Sequence, residues 1–183
     1  MKVTHFLFCC LACISCTAQK QNYNRQIDKI KQIKSMPYMP ELSGDKQFWD
    51  LTKGKKSIIP YLIDRISDTT LTKAHVPNFG LDYRVGDVCV VAISKIVHGF
   101  PLLKLITTDD ALLSEGGTIY WDYVRPYKGR LEYQRRVREW YRNNESNLIW
   151  TQDDNLYGVD DNENGLIKKL PAGGFYVVKD AEQ

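Results

Sequence analysis

The chain has few cysteines outside its first 18 residues. Four of the five, Cys9, Cys10, Cys13 and Cys16, lie near the amino terminus, and Cys89 alone lies in the rest. A single cysteine cannot form an internal disulfide, and no C-x-x-C pair follows residue 18. A disulfide framework and a cysteine-based zinc site are therefore excluded for that part of the chain. Cys89 falls within an apolar stripe, so we expect its thiol to be buried.

Histidine is also scarce, which narrows the catalytic chemistry. After residue 18 the chain has only His75 and His98, and it contains no G-x-S-x-G or H-E-x-x-H motif. We therefore expect no serine triad, no zinc centre and no cofactor. Two carboxylates suffice for a glycosidase, but the candidates are adjacent residues, as is typical of caps and turns: Asp109–Asp110, Asp153–Asp154 and Asp160–Asp161. An envelope hydrolase acting on glycan or peptide stays as the alternative.

Neither a surplus of charge nor a long apolar run marks the body of the chain. The formal net charge is +3, and Lys2 lies in the amino-terminal segment, so the remainder carries 3 − 1 = +2. A chain so close to neutrality gives no general argument for binding nucleic acid, and we expect none as a partner. No stretch after residue 18 approaches eighteen apolar residues, so we expect no membrane-spanning helix there.

The first 18 residues have the pattern of an export signal. Lys2 supplies the positive end, and Phe6 to Ile14 supply an apolar core too short to span a bilayer. Ile14-Ser15-Cys16 resembles a bacterial lipobox, in which Cys16 is lipidated and becomes the first mature residue. Cleavage after Ala18 is the other interpretation. We favour the lipobox, and because Thr17 rather than an acidic residue follows Cys16, we expect an outer-membrane lipoprotein that faces the periplasm.

The body is predicted to be mainly α. Residues 19–40 are expected to form a polar tether helix and a linker, because Ile27, Ile30 and Ile33 make only a thin apolar seam before two prolines. Residues 41–183 are expected to form a single helical domain. Asp45 is predicted to cap a short helix that buries Phe48 and Trp49.

Two longer helices are predicted next. Ser57 is a suitable N-cap for a helix over residues 58–66, with Pro60 in its first turn. Apolar residues then recur at helical spacing from Val85 to Val97, and Gly99 is placed to end that helix. The two resemble one HEAT-like antiparallel pair, although about fourteen residues connect them where a HEAT pair has a short turn.

The carboxyl-terminal third combines one more helix with strands. A helix is predicted over residues 130–144, with Tyr133, Val137, Trp140 and Tyr141 inward. Residues 166–170 and 175–178 are predicted to form a small β-hairpin, because a Pro-Ala-Gly-Gly turn separates them. The predicted class is therefore mainly α, with HEAT-like antiparallel helical pairs and a small C-terminal β-hairpin.

Several short motifs together resemble a known group of proteins. They are Gly44-Asp45-Lys46-Gln47-Phe48-Trp49, Ile59-Pro60-Tyr61-Leu62-Ile63, Pro77-Asn78-Phe79-Gly80, Tyr83-Arg84-Val85-Gly86-Asp87-Val88 and Trp140-Tyr141 with Asn144 and Leu148-Ile149-Trp150. In these motifs the chain is similar to uncharacterised exported proteins and lipoproteins of Gram-negative envelopes. The resemblance implies a mostly helical domain, and it implies no activity.

Charge is distributed unevenly toward the end of the chain. The segment from Arg125 to Arg142 contains seven cationic residues and only two acidic ones, Glu132 and Glu139. The next twenty residues contain several acidic residues and no Lys or Arg. We expect this acidic segment to lie along the basic helix, with binding of anionic lipid or of an acidic partner as the alternative.

One acidic stretch is a weak calcium candidate. Asp160, Asn162 and Asn164 match the first half of a calcium loop, but Pro171 stands where the bidentate glutamate belongs. We therefore expect an ordinary Asx-rich turn and no metal.

The segment from Asp68 to Asp82 is the best candidate for function. It is long for a connection between helices, and loops of this length are often functional. Its candidate partner-binding residues are Lys73, His75, Asn78 and Phe79. We expect a non-catalytic, exported, lipid-anchored protein-interaction module that binds a protein of the envelope. A periplasmic immunity-type inhibitor of a toxin is a further alternative.

Overall fold

The computed structural model describes residues 21–37, 44–77, 79–153 and 172–179. Cys16 and the whole signal, Asn78, the calcium candidates Asp160, Asn162 and Asn164, and the predicted strand 166–170 lie outside the described residues. The described part is mainly helical, with two small antiparallel strand pairs. None of its helices is both long and apolar enough to span a bilayer.

Helix α4 (Val85–Ile96) lies at the centre of the core. Its apolar stripe predicted this, and the stripe is buried throughout, with Cys89 and Ile93 fully inaccessible to solvent. The carboxylate of Asp87 accepts a hydrogen bond from the backbone N–H of Arg84 at 2.8 Å, which caps the helix at its first turn. Burial raises the pKa of the Cys89 thiol. The prediction that Cys89 is buried is therefore confirmed.

The segment predicted as a tether packs into this same core. Residues 21–28 form helix α1, and a 3-10 turn (Ile30–Gln32) follows. Ile27, Ile30 and Ile33 are all at most 3% exposed. For residues 21–37, the separate tether predicted over 19–40 is therefore wrong. Three isoleucines at helical spacing occur both on an isolated helix with a narrow apolar face and on a helix packed against a domain. The structure shows the second arrangement.

Two short helices precede the first strand. Helix α2 (Lys46–Thr52) buries Phe48 and Trp49, as predicted. The side chain of Asp45 does not cap it, however, but accepts hydrogen bonds from the backbone N–H groups of Lys34 and Ser35. A 3-10 turn (Lys55–Ile58) then leads into helix α3 (Ile59–Asp64). Ser57 lies inside that turn, so its predicted role as the N-cap is wrong.

A β-hairpin, not a loop, connects α3 to α4. Strand β1 (Leu71–Val76) pairs antiparallel with strand β2 (Leu81–Arg84), with His75 opposite Asp82. Buried and exposed residues alternate along β1, and Thr72 and Ala74 point inward. This period of two was hidden because Thr72 and Ala74 are not strongly apolar, whereas the outward Leu71 is. Thr72 is tolerated inside because its hydroxyl donates to the carbonyl of Tyr83 at 2.8 Å.

In the part of the chain that the structure describes, three helices follow α4. Helices α5 (Asp110–Leu113) and α6 (Gly117–Val124) were not predicted, since both are too short for a clear apolar period. Helix α7 (Tyr127–Asn144) was predicted over residues 130–144 and begins three residues earlier, after Pro126. Of the residues predicted inward, Tyr133, Val137 and Tyr141 are buried. Trp140 is only partly buried, and its ring packs against that of Phe100.

The second strand pair differs from the predicted hairpin in its partner strand. Strand β4 (Gly174–Val178) pairs antiparallel with strand β3 (Leu148–Gln152), which directly follows α7 and a 3-10 turn (Glu145–Asn147). The prediction of a strand at 175–178 is therefore confirmed, whereas β3 is a partner that the sequence analysis missed. The backbone N–H of His98 donates to the carbonyl of Tyr176 at 2.8 Å, which attaches this pair to the end of α4.

Arginines of α7 form ion pairs with acidic residues of the helices. Arg135 and Arg136 both bind Glu132, whose pKa their hydrogen bonds lower to about 2. Arg138 reaches Asp64 of α3 at 2.8 Å. Most of the acidic segment lies outside the described residues, so its predicted pairing with this helix stays a prediction.

Gly86 is required by the close packing of α4 on the end of α3. A Cβ atom at this position would lie 1.9 Å from the carbonyl oxygen of Ile66. We expect Gly86→Ala to lower the free energy of unfolding by about 3 kcal/mol or more, because the backbone must move to relieve the overlap. Gly117→Ala is the matched control, since a Cβ there meets nothing within 4 Å. Urea denaturation of both variants measures the difference, and equal stabilities would contradict this packing.

Candidate binding surface at the hairpin

The exposed face of β1 carries two of the four predicted site residues. Lys73 and His75 are two apart on the strand, so both point away from the core. The His75 imidazole contacts the carboxylate of Asp82 across the hairpin. Phe79 lies in the turn beside them and is 40% exposed. The structure therefore brings Lys73, His75 and Phe79 together on one hairpin, and Asn78 lies outside the described residues.

Apolar side chains border these residues, and the sequence analysis missed them. Leu71 and Leu81 are 57% and 39% exposed. Of the seven large apolar side chains that are exposed in the described part of the chain, three (Leu71, Phe79, Leu81) lie on this hairpin. We call Leu71, Lys73, His75, Phe79 and Leu81 the hairpin surface.

Trp121 of α6 holds the turn of the hairpin in place. Its ring lies 6.1 Å from that of Phe79 and 5.6 Å from that of Tyr83, measured between centroids. On the opposite side, the backbone N–H of Lys73 donates to the carbonyl of Ile33 at 3.1 Å. The hairpin surface therefore rests on fixed elements on both sides.

A small cavity of about 110 Å³ opens between the hairpin and α6. Leu71, Leu81, Trp121 and Val124 form its apolar lining. The charged side chains that line it are Asp82, Arg84, Asp87, Arg125 and Arg130. We call this cavity the hairpin pocket.

The floor of the hairpin pocket contains a buried ion pair. Nη1 of Arg130 lies 2.8 Å from Oδ1 of Asp87, and the two side chains are 3% and 1% exposed. Nη2 of Arg130 and the hydroxyl of Tyr120 also donate to this carboxylate, at 3.2 Å and 2.9 Å. Burial and the neighbouring Asp87 raise the pKa of Tyr120, so its hydroxyl stays protonated as a donor.

The sequence analysis did not identify this pair. Arg130 was grouped with a run of surface arginines, although it lies three residues before Tyr133 and seven before Val137 on the inward face of α7. That spacing is the signal that was available. Asp87 lies three residues after the N-cap Arg84, where an acidic residue indicates a helix start.

The side chains considered for catalysis are separated or inaccessible. Cys89 is buried with a raised pKa, so its thiolate is not available as a nucleophile. The His98 ring packs on Phe175 with its centroid 5.0 Å away. Within the ranges that the structure describes, no three His, Cys, Asp or Glu side chains are placed to hold one metal ion.

The ion pair predicts a strong dependence of stability on both partners. Arg130→Met leaves the Asp87 carboxylate buried without its cation, and we expect a loss of about 3–5 kcal/mol in the free energy of unfolding. The double variant Asp87→Asn/Arg130→Met removes both charges and keeps one acceptor oxygen, which serves either the Tyr120 hydroxyl or the Arg84 N–H. It should be more stable than Arg130→Met alone, as urea denaturation would show. A double variant as unstable as the sum of the two single variants would contradict the pairing.

Comparisons of the chain with family models, with curated proteins and with solved structures found no match. The resemblance to exported envelope proteins therefore stays a prediction. The hairpin surface and the hairpin pocket are the features of the described residues that bear on function.

Proposed function

We propose that this protein is a non-catalytic, exported interaction module that binds an envelope protein through the hairpin surface. One observation carries the proposal: Leu71, Phe79 and Leu81 expose apolar area together on one hairpin. Grouped exposed apolar side chains with polar neighbours are typical of protein-binding sites, whereas single ones are common on any surface.

The surface has the rigidity that recognition favours. The inward residues Ala74, Val76 and Tyr83 are at most 7% exposed, so the hairpin is part of the core. A surface already held in its bound shape loses little conformational entropy when a partner binds. The HEAT-like interpretation of α3 and α4 belongs to this proposal, since these helices pack together beneath the hairpin.

The charges around the surface indicate the chemistry of the partner. Lys73 is exposed on β1, and Arg84 and Arg125 line the neighbouring pocket. Asp82 already contacts His75, and Asp122 lies 3.5 Å from Arg125. We therefore propose a partner face that combines apolar side chains with carboxylates. An immunity-type inhibitor would use the same surface, and no arrangement among the described residues favours the hydrolase alternative.

Attachment to the membrane through a lipid on Cys16 is a separate part of the proposal, supported by the lipobox pattern Ile14-Ser15-Cys16. Mass spectrometry of the mature protein should find a chain that begins at Cys16 and carries lipid. Cys16→Ser should move the protein from the membrane to the soluble fraction. An unmodified chain that begins at Gln19 would contradict lipidation but would leave the hairpin surface untouched.

The binding surface is tested with photo-crosslinking in the intact envelope. A photo-reactive residue in place of Lys73 should give a discrete crosslinked product, whereas one in place of Leu131 on α7 should not. Leu131 is 44% exposed and therefore matches the hairpin residues in accessibility.

Point substitutions complete this experiment without shortening the hairpin, because its inward residues belong to the core. Leu71→Asp should abolish the product from position 73, since it places a carboxylate in the apolar patch, and Leu131→Asp should leave it intact. Circular dichroism should show both variants folded. The same product from positions 73 and 131, or none from either, would refute the hairpin surface.

A further inference from the structure

The hairpin pocket combines an apolar wall with a surplus of positive charge. Leu71, Leu81, Trp121 and Val124 supply the wall, and three arginines and two aspartates line the remainder. Its volume of about 110 Å³ is well below that of pockets for drug-sized ligands. The pocket therefore fits one small ligand or a single group of a larger one.

The buried arginine on the floor has donors that the protein does not use. Arg130 is 97% buried, and the Asp87 carboxylate pairs with its two terminal nitrogens. In the described part of the chain, no acceptor forms a hydrogen bond with Nε, and Nη1 contacts Asp87 without a well-aligned hydrogen bond. Unpaired buried N–H groups are costly, and these belong to a side chain that lines the pocket.

Two other arginines add charge at the same place. Arg84 is partly buried at the end of β2, and Arg125 is exposed at the end of α6. Both line the pocket with Arg130. Guanidinium groups bind carboxylates in a planar, two-bonded geometry that strengthens the interaction and makes it specific.

The acidic side chains of the pocket are already engaged. Asp87 accepts from Arg130, from Tyr120 and from the backbone N–H of Arg84. Asp82 contacts the imidazole of His75. The lining therefore has three arginines against two engaged carboxylates, and the Asp122 carboxylate that lies 3.5 Å from Arg125 is an exposed side chain outside the lining. An anion fits this balance, and a cation does not.

We propose that the hairpin pocket binds a carboxylate carried on a short, branched apolar group. Arg84 and Arg125 bind the carboxylate, the charge of Arg130 stabilises it from below, and the apolar group packs against Leu81 and Trp121. In a protein, a carboxylate beside a branched apolar group occurs at a chain terminus that ends in a residue such as leucine, whereas a glutamate side chain carries its carboxylate on a short unbranched chain. The assignment of this carboxylate to the envelope partner rests on the proposed function. The binding of a carboxylate in the pocket does not depend on that function.

The test uses isovalerate as the probe, with isovaleramide as its uncharged equivalent and inorganic phosphate as an anion without an apolar part. Titration of the folded chain from residue 19 is followed by nuclear magnetic resonance of the arginine Nε–H groups. Isovalerate should shift the signals of Arg84 and Arg125 and saturate at about 10 mM or below, as expected of so small a ligand. Isovaleramide and phosphate should each bind about tenfold more weakly or less.

Variants assign the effect to the pocket. Arg84→Gln/Arg125→Gln should weaken isovalerate binding about tenfold or more, because the two direct contacts are lost. Arg142→Gln removes an exposed arginine on α7 that does not line this pocket, and it should leave binding unchanged. The backbone spectra of both variants report whether they are folded.

Two peptides distinguish the sources of the carboxylate. One is Ala-Ala-Ala-Ala-Leu with a free carboxyl terminus, and the other is amidated Ala-Ala-Glu-Ala-Ala. Displacement of isovalerate by the first peptide supports a chain terminus as the ligand, and displacement by the second supports a glutamate side chain. If neither peptide displaces isovalerate, the ligand is a free small carboxylate.

Three results would overturn the proposal. They are no binding of isovalerate, equal binding of isovaleramide, and equal binding of phosphate. The proposed function fails separately. Isovalerate binding without crosslinking at position 73 supports the pocket and refutes the hairpin surface. Crosslinking at position 73 without isovalerate binding supports the hairpin surface and refutes the pocket.

Discussion

The buried pair of Asp87 and Arg130 is the constraint on which the arrangement of the helices depends. It joins the first turn of α4 to α7, and the Tyr120 hydroxyl adds α6 to the same carboxylate. A charge this deeply buried is tolerated only when its partner is placed within hydrogen-bonding distance. The three helices therefore cannot shift independently, because any shift would expose or orphan one of the two charges. Gly86 completes the arrangement, since the absence of a Cβ lets α4 approach the carbonyl of Ile66.

The sequence predicted the elements that carry a strong period and clear ends. Helix α4 was placed correctly because its apolar stripe is continuous and Gly99 follows it with φ +74°. The hairpin was missed because Thr72 and Ala74 occupy inward positions, so its alternation did not appear as apolar against polar. Strand β3 was missed for a different reason. Its partner β4 lies more than twenty residues further along the chain, and only the fold brings the two together.

The candidate site was predicted in position but not in form. Lys73, His75 and Phe79 do lie together, although on a hairpin fixed to the core and not on a protruding loop. The hairpin pocket was beyond sequence reasoning because its lining comes from β1, β2, α4, α6 and α7. Arg130 illustrates the general difficulty. A buried arginine within a run of surface arginines is distinguished only by its helical phase, and the charge itself suggests exposure.

The burial of the amino-terminal helix shortens the segment that would join the body to a lipid on Cys16. Ile27 and Ile30 belong to the core, so the chain from residue 21 onward is part of the body. If Cys16 carries the lipid, as proposed, five residue steps separate the anchor from residue 21, and a fully extended chain covers them in about 18 Å at most. A lipid on Cys16 would then hold the first residues of the core within that distance of the bilayer surface, so no long spacer would separate the body from the membrane.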